Sequence, residues 1–260
     1  MKDRKKIEGN KDFRNSVILH IPHSSVKIQN SIGFTKDKRI IQDEILKLTD
    51  WNTNEIFSIP EITTIKAEFS RIFCDVERFY PDEDEEMSKF GRGFFYTKTD
   101  NGLHLREDID GIKGYVYENY YLPHHSKLTQ AVDKKLLEEG TAYIIDCHSF
   151  SDKPFNTDID KRTPRPDICI GIDEFHTPDF LKEHFKSIFK NNGLTVAINS
   201  PYSGTMIPTK FYKNEENVIG IMIEVNKRLY MNGLCTVDLK NILKLNKIIV
   251  EVIDNFITIK

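Results

Sequence analysis

The sequence predicts a single α/β domain whose sheet is covered by helices on both faces. Short apolar runs rich in β-branched and aromatic residues alternate with amphipathic segments of helical period. No internal repeat and no linker long enough to divide the chain interrupts that alternation. Three of the runs end abruptly in a polar step carrying a histidine or an acid, where an open α/β sheet usually puts its chemistry. At 260 residues the chain can bury a sizeable core. The expected organisation is a charged N-terminal extension over 1–15 and one domain over 16–260.

Strands are expected at 16–22, 62–67, 71–79, 142–147, 167–172, 194–199 and 218–225. The 71–79 run alternates, with Arg71, Phe73 and Asp75 on one face and Ile72, Cys74 and Val76 on the other. A helix over 36–49 puts Ile41, Ile45 and Leu48 on one side. Another over 125–139 repeats Leu128, Val132 and Leu136 and stops at Gly140. The next has Thr177 as its cap and Pro178 in its first turn. Its stripe is Leu181, Phe185, Ile188 and Phe189, and Asn192-Gly193 ends it. The last starts near Thr236 and turns Leu239, Ile242, Leu243, Ile249, Val252 and Ile253 to the core. Glycines punctuate 80–120, which reads as turns with a small hairpin, the kind of long irregular segment that often walls a site.

Charge and cysteine content exclude several classes. The 37 basic and 40 acidic residues give a formal charge of -3, without the footprint expected of a nucleic-acid or anionic-membrane partner. The longest charge run, Asp82 to Glu86, reads as a solvated loop. Cys74, Cys147, Cys169 and Cys235 are scattered, and the first three sit in apolar runs, as buried thiols of a reducing compartment do. No apolar segment has the length of a membrane span, and no signal-like stretch follows the charged N-terminus. The expectation is a soluble, cytoplasmic protein.

The chemistry sits at the strand ends. Ile144-Ile145-Asp146-Cys147-His148-Ser149 places Asp146 and His148 on one side of a strand. A histidine there offers one ring nitrogen to a metal while a carboxylate orients the other; otherwise it is an ordinary hydrogen-bonded histidine. In His20-Ile21-Pro22-His23-Ser24-Ser25, Pro22 breaks the strand, which frees His23 to reach a metal and leaves His20 behind it. A catalytic zinc takes three protein ligands and an open position. Asp50, beside the lone tryptophan in Thr49-Asp50-Trp51, is either the third ligand or a helix-terminal aspartate. Glu224 ends the apolar run 218–223, an expensive place for a carboxylate unless it is paired with Lys227 or Arg228 or used as a general base. Arg71 and Arg78 suit a substrate carboxylate or serve Asp75 and Glu77. The polar loop Asn199-Ser200-Pro201-Tyr202-Ser203-Gly204-Thr205 contacts substrate or is a plain turn.

In this order, Ile21 to Ser25, Leu48 to Trp51, Ser70 to Asp75 with Arg78, Tyr121 to His125, Ile145 to Ser149, Asn199 to Gly204 and Ile223 to Met231 resemble the N-formylglutamate amidohydrolase family. The resemblance implies a three-layer α/β/α domain with a mixed sheet, phosphorylase/hydrolase-like and related to zinc carboxypeptidases. It implies a Zn2+ ion held by His23, Asp50 and His148, with Glu224 as base and Arg71 at the substrate carboxylate or developing oxyanion. Arg71, Arg78, His125, Asn199, Tyr202, Gly204 and Asn226 become the substrate-binding candidates. Ser25 and Ser203 stand where the family commonly has glycine, both in loops that shape the pocket. The function implied is hydrolysis of the amide bond of a small N-acyl amino acid, N-formyl-L-glutamate or an analogue, by a monomer or homodimer. A zinc peptidase or peptidoglycan amidase is the rival of similar chemistry, and a non-catalytic acyl-amino-acid-binding protein the rival of another class. Iron or manganese also suits two histidines and a carboxylate.

Overall fold

The computed structural model describes residues 13–109, 111–233 and 236–258. Most of the charged extension and Cys235 lie outside the described residues. The strands are β1 (Val17–Ile21), β2 (Thr63–Lys66), β3 (Ala142–Phe150), β4 (Ile168–Gly171), β5 (Val196–Ile198) and β6 (Val218–Asn226). They form one six-stranded sheet in the order β2-β1-β3-β6-β4-β5. All neighbours are parallel except β4 and β6, which makes the sheet mixed. The central strands β1 and β6 are buried throughout, which is why they read as near-continuous apolar runs.

The helices are α1 (Phe13–Ser16), α2 (Lys38–Leu48), α3 (Thr53–Ile56), α4 (Ile112–Val116), α5 (Leu122–Glu139), α6 (Asp179–Asn191) and α7 (Leu239–Asp254). One face of the sheet, formed by Val17, Leu19, Ile21, Ile145, Cys147, Ile221, Ile223 and Val225, packs on the stripes of α6 and α7. The other face starts apolar, with Ile18, Ala142, Ile144 and Val218 under Leu128 and Val132 of α5. Alternation along β1, β3 and β6 then carries that same face to His20, Asp146, His148 and Glu224. The register sets His20 beside Asp146 and His148 beside Glu224.

Several expectations are corrected. Residues 71–78 form turns, not a strand. Asp75 gathers the chain around itself, accepting from Arg71 and from the Glu77 N–H, and this local network outweighs the alternating pattern. Strand β3 runs on to Phe150, so His148 lies inside a strand. Pro178, not Thr177, occupies the cap position of α6; the Thr177 hydroxyl donates instead to the Gly220 carbonyl at 2.6 Å. Thr236–Val237 pairs with Met231–Asn232, and α7 begins after the Asp238 cap. Leu239 and Leu243 are 67% and 63% exposed, because Leu245 and Ile248 complete the buried stripe in their place. Within the acidic run, Glu85 is buried and accepts from the Phe79 and Met87 N–H groups. The small hairpin is present as the Lys98–His104 bridge around Asn101-Gly102. Cys74, Cys147 and Cys169 are buried and free. Among the described residues no helix is long and apolar enough to cross a membrane.

Candidate metal centre

Three elements bring the polar groups together. His23 lies past the end of β1, where its carbonyl accepts the Asp50 N–H at 3.0 Å and ties that turn to the end of α2. His148 and Glu224 stand on adjacent central strands. The 71–78 turns supply Asp75 and Glu77.

His23 is 1% exposed. Its Nε2 meets Asp75 Oδ1 at 2.8 Å, while its Nδ1 has no hydrogen-bond partner. That nitrogen faces Asp50 Oδ2 at 3.7 Å and Glu77 Oε2 at 3.8 Å. Asp75 also accepts from Arg71 Nη2 at 2.9 Å and from the Tyr96 hydroxyl at 2.7 Å. Burial pushes the Asp75 carboxyl up, but Arg71, His23 and Arg78 hold it well below the usual range.

His148 is enclosed by carboxylates. Its Nδ1 lies 3.2 Å from Asp50 Oδ2, and its Nε2 lies 3.1 Å from Glu77 Oε1 and 3.1 Å from Asp146 Oδ1. Burial alone lowers the imidazole's pKa, yet Glu77, Asp146 and Asp50 raise it well above the ordinary value. Burial pushes the Asp50 carboxyl up, but its hydrogen bond to His148, with His23 and Lys227 nearby, holds it below the usual range. This pocket draws positive charge inward. An imidazole lone pair left bare in such surroundings, its other nitrogen fixed by a carboxylate, fits a divalent cation. Ligand atoms of His23, Glu77 and His148 all lie within 4.8 Å of one another, and so do those of His20, Glu77 and Asp146.

Glu224 is buried and its Oε2 has no hydrogen-bond partner. Burial pushes its carboxyl up to about 8, with Asp50 and Glu77 adding to the effect against His148 and Arg71. Neither expected ion-pair partner takes it. Lys227 Nζ donates to the Thr49 carbonyl at 2.7 Å, and Arg228 pairs with Asp152 and Asp167.

The remaining sequence-derived candidates divide. Arg71 lies at the cluster; Arg78 Nε, 3.6 Å from Asp75 Oδ2, and His125 Nε2 are buried without a hydrogen bond. His125 stacks on Tyr121 at 4.2 Å, and burial, with His20 nearby, pushes its pKa down to about 4. Asn199, Tyr202 and Asn226 use their side chains inside the protein. Asn199 accepts from the Ile172 N–H, the Tyr202 hydroxyl meets Asp158 and Arg165, and Asn226 donates to Asp152 and the Pro166 carbonyl. The Gly204 carbonyl presses on Gly171, where a Cβ would come within 2.2 Å of it. Two residues on, the Met206 N–H donates to Asp146 Oδ2 at 3.0 Å, so this loop touches the cluster. Sequence reasoning missed Glu77 as a cluster member and His124, whose Nε2 lies 2.9 Å from His20 Nε2. The only signal for Glu77 was the crowding of acids and arginines over 71–78.

The family model for N-formylglutamate amidohydrolase matches residues 15–231. In fold, the chain resembles the crystal structure of N-formylglutamate amidohydrolase from Ralstonia eutropha JMP134, at 18% identity and a TM-score of 0.82, over 94% of this chain and 93% of that one. It also resembles the structure of gene product Atu2144 from Agrobacterium tumefaciens, at 16% identity and a TM-score of 0.58, over 93% and 90% of the two chains. No curated relative matches significantly. The likeness to solved structures confirms a single α/β domain on a mixed six-stranded sheet. The family match, which spans every polar strand end described above, goes further: the chain belongs to the N-formylglutamate amidohydrolase family.

Proposed function

We propose that this chain is a zinc-dependent hydrolase of a small N-acyl amino acid, N-formyl-L-glutamate or a close analogue, yielding formate and L-glutamate in the first case. The observation that carries this reading is the bare, buried Nδ1 of His23, oriented by Asp75 and facing two carboxylates beside His148. His23 and His148 would hold the metal, with Asp50 and Glu77 as the available carboxylates. When bound, the metal polarises the amide carbonyl and acidifies water.

The chain's own residues do the rest. Glu224 takes a proton from the attacking water and delivers it to the leaving nitrogen as the C–N bond breaks. Burial raises this carboxyl above an ordinary glutamate, so it holds the proton more readily until the leaving nitrogen takes it. Asp75 fixes Arg71 through Nε and Nη2, which leaves Nη1 for a substrate carboxylate or the developing oxyanion. Arg78 and His125, each with a buried nitrogen that makes no hydrogen bond, receive the substrate's remaining polar groups. The 199–204 loop and Asn226 shape the pocket wall rather than bind through their side chains. A cytoplasmic address goes with the three free buried thiols.

The test is elemental analysis of the purified chain together with an amine-release screen across N-formyl and N-acetyl amino acids. Bound zinc with turnover of N-formyl acidic substrates supports the reading. A metal-loaded chain that hydrolyses none of them, yet binds one, would make it a binding protein instead.

A further inference from the structure

We propose that Glu77 bridges two neighbouring cation positions, the second of them built from His20 and Asp146. This rests on the reading of the cluster as a metal centre and extends it. His20 and His23 approach Glu77 from two sides, His20 with its Nδ1 also 2.8 Å from Asp146 Oδ1 and His23 with its Nδ1 free of any hydrogen bond. Each has its Nε2 occupied by an outer partner: His124 Nε2 at 2.9 Å for His20, and Asp75 Oδ1 at 2.8 Å for His23. Each turns its Nδ1 toward Glu77, and toward different oxygens of it. Glu77 Oε1 lies 3.6 Å from His20 Nδ1, and Oε2 lies 3.8 Å from His23 Nδ1.

One carboxylate with an oxygen facing each of two buried histidines is the geometry of a bridging ligand. The two ligand groups, His23 with His148 and His20 with Asp146, share Glu77 and nothing else. Asp146 stands between the two positions: its Oδ1 lies 2.8 Å from His20 Nδ1 and 3.1 Å from His148 Nε2, while Oδ2 accepts the Met206 N–H at 3.0 Å. His20 and Asp146 are buried, and neither is needed as a ligand by the single-metal mechanism above. One nitrogen and two carboxylates form a harder donor set than the His23–His148 position offers, and suit manganese or zinc.

The test is metal stoichiometry on the full chain, stripped with chelator and titrated with Zn2+ and with Mn2+ by calorimetry. Elemental analysis and the electron paramagnetic resonance spectrum of the Mn2+-loaded form accompany it. Two ions per chain and an exchange-coupled manganese spectrum, as bridged ions about 4 Å apart give, are expected. Glu77→Gln should abolish the coupling. His20→Asn should lower the count to one ion, with circular dichroism unchanged. A single uncoupled ion in the unmodified chain overturns the second position and leaves the hydrolase reading standing; no bound ion overturns both. His20→Asn that still binds two ions also overturns the proposal. If His20→Asn does not fold, the count and spectrum of the unmodified chain decide.

Discussion

Ile223 and Glu224 are consecutive residues of β6, both buried, and they do opposite things. Ile223 is fully buried in the apolar layer under α6 and α7. Glu224 is turned over the sheet to stand beside His148, with an oxygen left unpaired. The first is a contribution to stability by removal of apolar surface. The second is a cost to stability, and the proposed mechanism uses it where a proton has to be moved. Alternation of side chains along a strand is what lets one segment serve both ends without compromise.

The largest expected effect breaks the comparison from the site side. Glu224→Gln should retain metal and fold while turnover falls by about 10³-fold or more, in line with loss of a general base. Retained turnover removes Glu224 from the mechanism. From the core side, Ile223→Ala should cost about 2–4 kcal/mol in denaturant unfolding, with metal affinity of the folded chain unaltered. A change in affinity there would mean that the two faces are not independent. Asp75→Asn sharpens the site side further: it loosens the orientation of His23, so affinity for Zn2+ should drop about 10–100-fold by competitive chelation.

A smaller effect comes from a place outside both faces. Burial raises the Asp100 carboxyl, but Lys47 and the Thr157 and Asn156 N–H groups hold it down at about 2. Its contribution, roughly 2 kcal/mol, is complete above the ordinary carboxylate value and lost as pH falls toward 2. Asp100→Asn should therefore flatten the acid limb of the stability curve between about pH 4 and pH 2. The smallest effect is at Leu243, exposed on α7: Leu243→Ser should change stability by no more than about 0.5 kcal/mol.

How far the sequence was legible follows the same division. Unbroken apolar runs announced β1, β3 and β6, and their polar terminations announced His23, His148 and Glu224, because burial and its violation are both written in composition. The place of Asp50 at the end of α2 left it open between a ligand and a helix-terminal aspartate, and only the family resemblance favoured the first. Glu77 was not. It belongs to turns shaped by the hydrogen bonds that Asp75 collects from His23, Arg71, Tyr96 and the Glu77 N–H, three of them from other side chains. Such a network has no period, and the alternation over 71–79 imitated a strand. Leu239 and Leu243 misled for a related reason. Several apolar residues on α7 compete for one buried stripe, and only packing on the sheet decides which are left out.

On the proposed reading, the hydrogen bond from Met206 to Asp146 ties recognition to ligation. The segment that follows the 199–204 loop anchors, through the Met206 N–H, the carboxylate that steadies both His148 and His20. Any remodelling of that loop to admit a different acyl group would be transmitted to the histidines, so a change of substrate preference in this chain would carry a change in hold on the metal.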